Sequence, residues 1–128
     1  MTSRNFLVLA AFFGALAVAA GAFGSHGLSG YFAANPEREG TYETAVQYQM
    51  YHALALVGAA WLVERSQGRF ARWAGVLFTL GILLFSGSLY LLALLNLRFM
   101  GAVAPLGGAA LILGWICLGL AAWRDQRS

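Results

Sequence analysis

The polar side chains that could do chemistry in this apolar chain are few, and most fall in one stretch, Gln47-Tyr48-Gln49-Met50-Tyr51-His52. On a helix, Tyr48 and His52 lie one turn apart on the same face, and Gln49 lies beside His52. This face offers amide, phenol and imidazole groups for hydrogen bonding. Because polar groups at membrane depth are costly, they are candidates for function, and this stretch becomes the centre of a candidate binding site.

Other polar residues lie at matching depths in the remaining apolar segments. If neighbouring helices are antiparallel, all of them converge on one outward-opening pocket. The predicted pocket comprises His26, Gln47, Tyr48, Gln49, His52, Ser86, Ser88, Tyr90 and Arg98. The alternative interpretation is structural. Glutamine and histidine can join helices by hydrogen bonds worth about 0.6–2 kcal/mol each, and Ser86 and Ser88 can bond to carbonyls of their own helix.

No catalytic, nucleotide-binding or metal-binding signature accompanies these residues. Two histidines and distant carboxylates do not supply a four-ligand zinc site at recognisable spacing. A haem bridged by His26 and His52 is disfavoured because one lies near the surface and the other near mid-membrane. The single cysteine, Cys117, excludes an intramolecular disulfide and any cysteine-based metal site. We therefore predict no catalytic residue, no cofactor and no metal.

The elements that position these residues follow from composition. Of 128 residues, 60% are hydrophobic and 10% are charged, whereas soluble domains carry roughly 25% charged residues. Four apolar segments are each long enough to cross a hydrocarbon core of about 30 Å as a helix. They cover residues 6–24, 44–63, 70–95 and 101–123. The prediction is a single all-α domain, an integral membrane four-helix bundle.

Orientation is predicted from the arginines, which supply all of the basic charge. Six of them fall on one side: Arg4, Arg65, Arg69, Arg72, Arg124 and Arg127. The other side carries Arg38 and Arg98. The positive-inside rule then places both termini in the cytoplasm, and Trp61, Trp73 and Trp123 mark the same interface. Clustering at segment edges, rather than in a basic patch, argues against nucleic acid as a partner.

The first connection, residues 25–43, is the longest. Leu28, Tyr31 and Phe32 predict a short interfacial helix that ends before Asn35-Pro36. The glutamates that follow it, Glu37, Glu39 and Glu43, are expected to face water. A cleaved signal peptide is the alternative for the first segment, but its apolar run is longer than a typical signal-peptide core.

Two segments carry rows of small residues that predict close helix packing. The first segment has Ala10, Gly14, Ala17, Gly21 and Gly24. The last has Gly101, Ala104 and Gly108 in one row and Gly107, Gly114 and Ala121 a heptad apart. Packing within the bundle and a contact between two copies both fit this pattern.

Several motifs together resemble a known family. They are Gly21-Ala22-Phe23-Gly24-Ser25-His26-Gly27-Leu28, the stretch from Thr44 to Leu54, Leu84-Phe85-Ser86-Gly87-Ser88-Leu89-Tyr90, Pro105-Leu106-Gly107-Gly108 and Gly114-Trp115. They resemble the bacterial YgdD family, which shares a domain of unknown function with a small eukaryotic transmembrane protein. The resemblance covers nearly the whole chain. It implies a four-helix inner-membrane protein and supplies no reaction.

Three hypotheses of function follow. The first is a non-enzymatic binding module whose pocket or helix faces hold a lipid, a quinone-like molecule, another membrane protein or a second copy of the chain. The second is a small oligomeric transporter or channel component. No acidic or basic residue lies in the middle of a segment, so the buried carboxylate typical of proton-coupled transport is missing. The third is a histidine-dependent membrane enzyme or electron carrier.

Overall fold

A computed structural model describes residues 1–66 and 68–125, and all regular elements in these ranges are helical. The α-helices are Ser3–His26 (α1), Ser29–Ala34 (α2), Pro36–Arg65 (α3), Phe70–Gly81 (α4), Gly87–Leu95 (α5) and Met100–Asp125 (α6). A π-helical turn, Ile82–Ser86, joins α4 to α5, so the chain from residue 70 to residue 95 is one continuous rod. The prediction of an all-helical chain is confirmed.

Three helices are long and apolar enough to cross a membrane: Ser3–His26, Phe70–Leu95 and Met100–Arg124. A helix satisfies its own backbone hydrogen bonds, as a span in lipid requires. Many large apolar side chains on these helices are exposed, Phe12 and Ile112 among them, which is expected where lipid replaces water. At 30 residues α3 is longer, but its glutamines and histidine make it more polar than the other three.

Neighbouring long helices run antiparallel. Gln49 of α3 contacts Phe13 of α1, while Tyr42, earlier in α3, contacts Ala20, later in α1. The rod formed by α4 and α5 also packs against α6 in an antiparallel orientation. At one end of the molecule, the His26 end, α1 and α5 finish and α3 and α6 begin. At the opposite end, the arginine end, α3 and α6 finish and α1 and α4 begin.

The heptad row of α6 packs closely on the α4–α5 rod. A Cβ atom built on Gly107 would lie 2.3 Å from the backbone nitrogen of Phe85. Gly114 lies against the ring of Phe78, and Ala121 is buried. Gly101, from the other predicted row, has nothing within 4 Å. The heptad row therefore determines how closely α6 approaches the α4–α5 rod.

The small residues of α1 pack within the chain, against α3. Ala10 and Ala17 are buried, and a Cβ atom on Gly21 would be 3.6 Å from the side chain of Val46. Gly14 has open space beside it. Most of this row is consequently covered by the chain itself.

The connection between α1 and α3 contains the short helix α2, which ends before Asn35. Phe32 of α2 is buried against the ring of Tyr42, with ring centroids 5.2 Å apart. Pro36 occupies the first turn of α3, where its missing N–H is tolerated. Glu37 and Glu39 lie in that same first turn, where carboxylates interact favourably with the helix dipole. Helix α3 therefore begins about two turns before the predicted segment.

Candidate functional site

Gln49 joins three helices by hydrogen bonds. Its side chain is 5% exposed. Its amide nitrogen donates to the Phe13 carbonyl of α1 at 2.8 Å, and its amide oxygen accepts from the Tyr90 hydroxyl of α5 at 2.7 Å. The ring of Tyr90 packs edge-on against Tyr42, whose hydroxyl donates to the Ala20 carbonyl. Both ends of the Gln49 amide therefore have a partner on a neighbouring helix.

The two serines differ in role. Ser88 donates to the Phe85 carbonyl of its own helical rod at 2.8 Å, as predicted for a serine in a helix. Ser86 is 1% exposed and donates instead to the Ala45 carbonyl of α3, at 2.7 Å. Ser86 is the last residue of the π-helical turn. Its bond is interhelical, so the structural alternative of local bonding holds for Ser88 and not for Ser86.

His52 has a partner at each ring nitrogen. Nδ1 lies 2.6 Å from the Tyr48 carbonyl oxygen, and Trp115 Nε1 lies 3.1 Å from Nε2. A carbonyl can only accept and an indole N–H can only donate, so these partners select the neutral imidazole with its proton on Nδ1. His52 is 5% exposed. With both nitrogens engaged, it has no free ligand atom for a metal.

Trp115 and Phe85 were not predicted as site residues. A tryptophan in the middle of an apolar span is a usable signal, because indoles prefer the membrane interface and a buried indole N–H needs an acceptor. Phe85 has no such signal. It joins the site because it lies in the π-helical turn, and π-helical turns occur often at functional sites.

These residues form a groove between α3 and α6, which we call the aromatic groove. Its volume is about 560 Å³, within the usual range for small-molecule sites. Tyr48 and Phe85 have ring centroids 4.8 Å apart, and His52 and Trp115 have centroids 5.9 Å apart. The groove is lined by Tyr48, Tyr51, His52, Phe85, Gly108, Leu111, Ile112 and Trp115.

The aromatic groove opens on the outside of the molecule. Its rim residues Tyr51, Ile112 and Trp115 are all exposed, Trp115 by 47%. His52 forms the buried floor. An apolar molecule could therefore enter from the side, between two long helices.

The structure distributes the nine predicted pocket residues over several places. Tyr48 and His52 line the aromatic groove, while Gln49, Tyr90, Ser86 and Ser88 bond within or between helices. Gln47 is exposed and lines a cleft of about 290 Å³ beside α1, together with Glu39 and Glu43. Arg98 is exposed and lines a third cleft. His26 is exposed at the end of α1. Two of the nine residues, Tyr48 and His52, therefore share one groove in this structure.

The two histidines lie at different levels of the fold. Gly24, near His26, packs against Tyr42, and ten residues of α3 separate Tyr42 from His52, or about 15 Å of helix. Residues 1–66 and 68–125 contain no group of three or more histidine, cysteine, aspartate or glutamate side chains placed to hold a metal ion.

Comparison with known proteins places this architecture in a family. A family profile described as "Protein of unknown function (DUF423)" matches residues 20–108. The UPF0382 inner membrane protein YgdD of Escherichia coli K12 is 42% identical over 127 residues, covering 99% of this chain and 95% of that protein. The UPF0382 membrane protein YwdK of Bacillus subtilis is 44% identical over 121 residues, covering 93% and 96%.

A third relative, the UPF0382 membrane protein SH2409 of Staphylococcus haemolyticus, is 41% identical over 115 residues, covering 90% of this chain and 92% of that protein. No solved structure matches. The relatives and the apolar helices agree on a membrane location, and the resemblance predicted from the motifs is confirmed. The chain belongs to the DUF423 family, and its relatives include the UPF0382 inner membrane protein YgdD.

Proposed function

We propose that this protein is a membrane-embedded binding module whose aromatic groove holds a flat, carbonyl-bearing ring with an apolar tail, a molecule of the quinone class. The observation that carries the proposal is the hydrogen bond between buried His52 and rim residue Trp115, which form the floor and one wall of the groove. The pair keeps the imidazole neutral and in one orientation. The groove therefore contains one polar ring, the imidazole of His52, in a fixed orientation among apolar side chains.

The walls suit a flat ring. Aromatic side chains line the groove on both α3 and α6, and Phe85 adds a face from the π-helical turn. Offset or edge-on contacts between aromatic rings contribute about 0.5–1.5 kcal/mol each beyond the area that they bury. A planar ligand would gain several such contacts at once, which a flexible acyl chain would not.

The groove also has hydrogen-bond donors to offer. Within the described part of the chain, the hydroxyls of Tyr48 and Tyr51 have no hydrogen-bond partner. A phenol without a partner in an apolar medium is unfavourable. A ring carbonyl on the ligand would accept from either hydroxyl and remove this penalty.

Entry would be lateral. The rim residue Ile112 is apolar and exposed, so a ligand dissolved in lipid would reach the groove without passing through water. By contrast, every buried polar side-chain atom in the described ranges has a partner within the protein. Among the described residues, neither transport nor histidine-dependent chemistry has an observation of its own in its favour.

The proposal includes a topology. In this topology α3 spans the membrane in addition to the three apolar helices, which makes a four-helix bundle. Both termini then lie in the cytoplasm. Support comes from the arginine end, where Arg65 lies 4.6 Å from the Trp61 ring and Arg124 lies 4.8 Å from the Phe70 ring. Such pairs suit the headgroup region. Arg127, which also contributed to the predicted orientation, lies outside the described residues.

Labelling single cysteines tests this topology. In a Cys117→Ala background, we expect Gly30→Cys to react with a membrane-impermeant maleimide in intact spheroplasts and Gly68→Cys to react after lysis only. The opposite pattern would invert the orientation. Labelling of both sites in intact cells would contradict a span by α3.

Ligand binding is tested by fluorescence. Ubiquinone-1 added to the purified protein in detergent should quench tryptophan emission saturably, and Trp115→Phe should remove most of the quenching. Trp73→Phe is the matched control because Trp73 lies on α4, outside the groove. Tyr48→Phe should weaken binding about 2- to 10-fold, the effect of one hydrogen bond.

Two results would refute the quinone assignment. One is quenching that does not saturate, and the other is saturable quenching that Trp73→Phe reduces as much as Trp115→Phe does. In either case a phospholipid chain or a partner membrane protein becomes the occupant to test.

A further inference from the structure

The third cleft, of about 280 Å³, which we call the arginine cleft, lies at the His26 end between the first turns of α3 and the end of α5. It shares no lining residue with the aromatic groove. Two arginines from different elements line it, Arg38 of α3 and Arg98 of the connection after α5. These are the two arginines at the arginine-poor end of the molecule. Thr41 and Asn96 add polar groups to the same cleft.

Arg38 is held in place. One terminal nitrogen of its guanidinium donates to the Tyr31 hydroxyl at 2.8 Å, and the group lies 5.9 Å from the centre of the Tyr31 ring. The Tyr31 hydroxyl in turn donates to the Ala93 carbonyl of α5. The side chain of Arg38 is 24% exposed. A guanidinium has five N–H donors, so the bond to Tyr31 leaves other donors on a side chain that lines the cleft.

The position of Arg38 opposes two electrostatic preferences. It lies in the first turn of α3, where the helix dipole disfavours a cation. It is also at the end that the positive-inside rule leaves poor in arginine. Glu37 offsets the charge of Arg38 only in part. Its carboxylate lies 3.9 Å from Arg38 Nε, which is too long for a hydrogen bond, and its side chain is 70% exposed. An external anion would relieve the remaining charge.

Arg98 is brought to the cleft by the backbone of Asn96. Asn96 ends α5 in the left-handed conformation, with φ 52°, which asparagine tolerates better than most residues. The chain turns there, and Arg98 follows two residues later. The side chain of Arg98 is exposed and has no ion-pair or hydrogen-bond partner among residues 1–66 and 68–125.

We propose that this cleft binds the phosphate group of a phospholipid, with Arg38 and Arg98 as its ligands. Arginine pairs well with phosphate oxygens because its planar fork can donate two parallel hydrogen bonds. Leu92 lines the apolar side of the cleft, so the acyl chains would follow the surface of α5. Glu37 provides a complementary charge for an ammonium group, which favours an ethanolamine headgroup over a glycerol headgroup.

The test measures binding of short-chain phosphatidylethanolamine to the delipidated full-length protein by native mass spectrometry. Wild type and Arg98→Gln are compared, with Arg72→Gln as the matched control. Arg72 is an exposed arginine at the opposite end, away from the cleft. We expect Arg98→Gln to weaken binding about tenfold, the effect of one charge-assisted hydrogen bond, and Arg72→Gln to bind as wild type does.

Two further arms identify the ligand. Glu37→Gln should reduce the preference for phosphatidylethanolamine over phosphatidylglycerol while phosphate binding persists. If millimolar inorganic phosphate competes with the lipid, the phosphate site is supported but its ligand is a free anion. If inorganic phosphate does not compete, the ligand is a lipid. The proposal is overturned if Arg98→Gln binds lipid like wild type, or if Arg72→Gln loses as much binding. Because Trp115 is remote from this cleft, failure here leaves the quinone titration unaffected.

Discussion

Replacing Gly107 by alanine should separate α6 from the α4–α5 rod. The new Cβ would lie 2.3 Å from the Phe85 nitrogen and 2.7 Å from its Cα. Both are backbone atoms, so no rotamer change can relieve the clash. Reaching an ordinary contact of 3.4 Å requires a shift of about 1.1 Å. Overpacking of this kind costs about 1–3 kcal/mol, while alanine gains about 1 kcal/mol of helix propensity, so we expect a net loss of up to about 2 kcal/mol.

Thermal unfolding in detergent, followed by tryptophan fluorescence, measures this loss. Gly119→Ala is the matched control because Gly119 lies in the same helix, is exposed and has nothing within 4 Å. It should be neutral or stabilising, since it gains propensity without a clash. The shift of Phe85 in Gly107→Ala should also weaken quinone quenching. If Gly107→Ala and Gly119→Ala unfold at the same temperature, the close approach at Phe85 is refuted.

Three further predictions use the same unfolding assay. A double-mutant cycle of Gln49→Ala and Tyr90→Phe should give a coupling of about 0.6–1.7 kcal/mol, and a coupling near zero would exclude their bond. Ser86→Ala should cost about 1 kcal/mol more than Ser88→Ala, because only Ser86 bonds to α3; equal losses would contradict this difference. Asn96→Gly should be tolerated, whereas Asn96→Val should cost about 1–2 kcal/mol because φ is 52°. Similar stabilities for the two Asn96 variants would argue against the left-handed turn.

The helices were predictable because their signals are local. Runs of apolar residues bounded by charge specify where a helix can lie in lipid, and Asn35-Pro36 marks the end of α2 and the start of α3. The extension of α3 toward Pro36 was missed, since the glutamates of its first turn resemble a loop. Their favourable interaction with the helix dipole explains why the helix continues through them.

The polar site was only partly predictable. The residue types at Gln49 and His52 identified them as unusual, but nothing local shows which neighbour completes each hydrogen bond. Trp115 lies 63 residues from His52 in sequence. The π-helical turn, which brings Phe85 into the groove and Ser86 onto α3, has no marker in the residues that form it.

By itself, the sequence determined an all-helical membrane protein with motifs of the YgdD family and with its rare polar residues concentrated in α3. These properties depend on composition and on order along the chain, which act within a few turns of helix. Tertiary structure decided that the polar residues separate into a structural network, an aromatic groove and an arginine cleft. The physical reason is that side-chain partners depend on the rotation and spacing of whole helices, which contacts such as Gly107 on Phe85 determine.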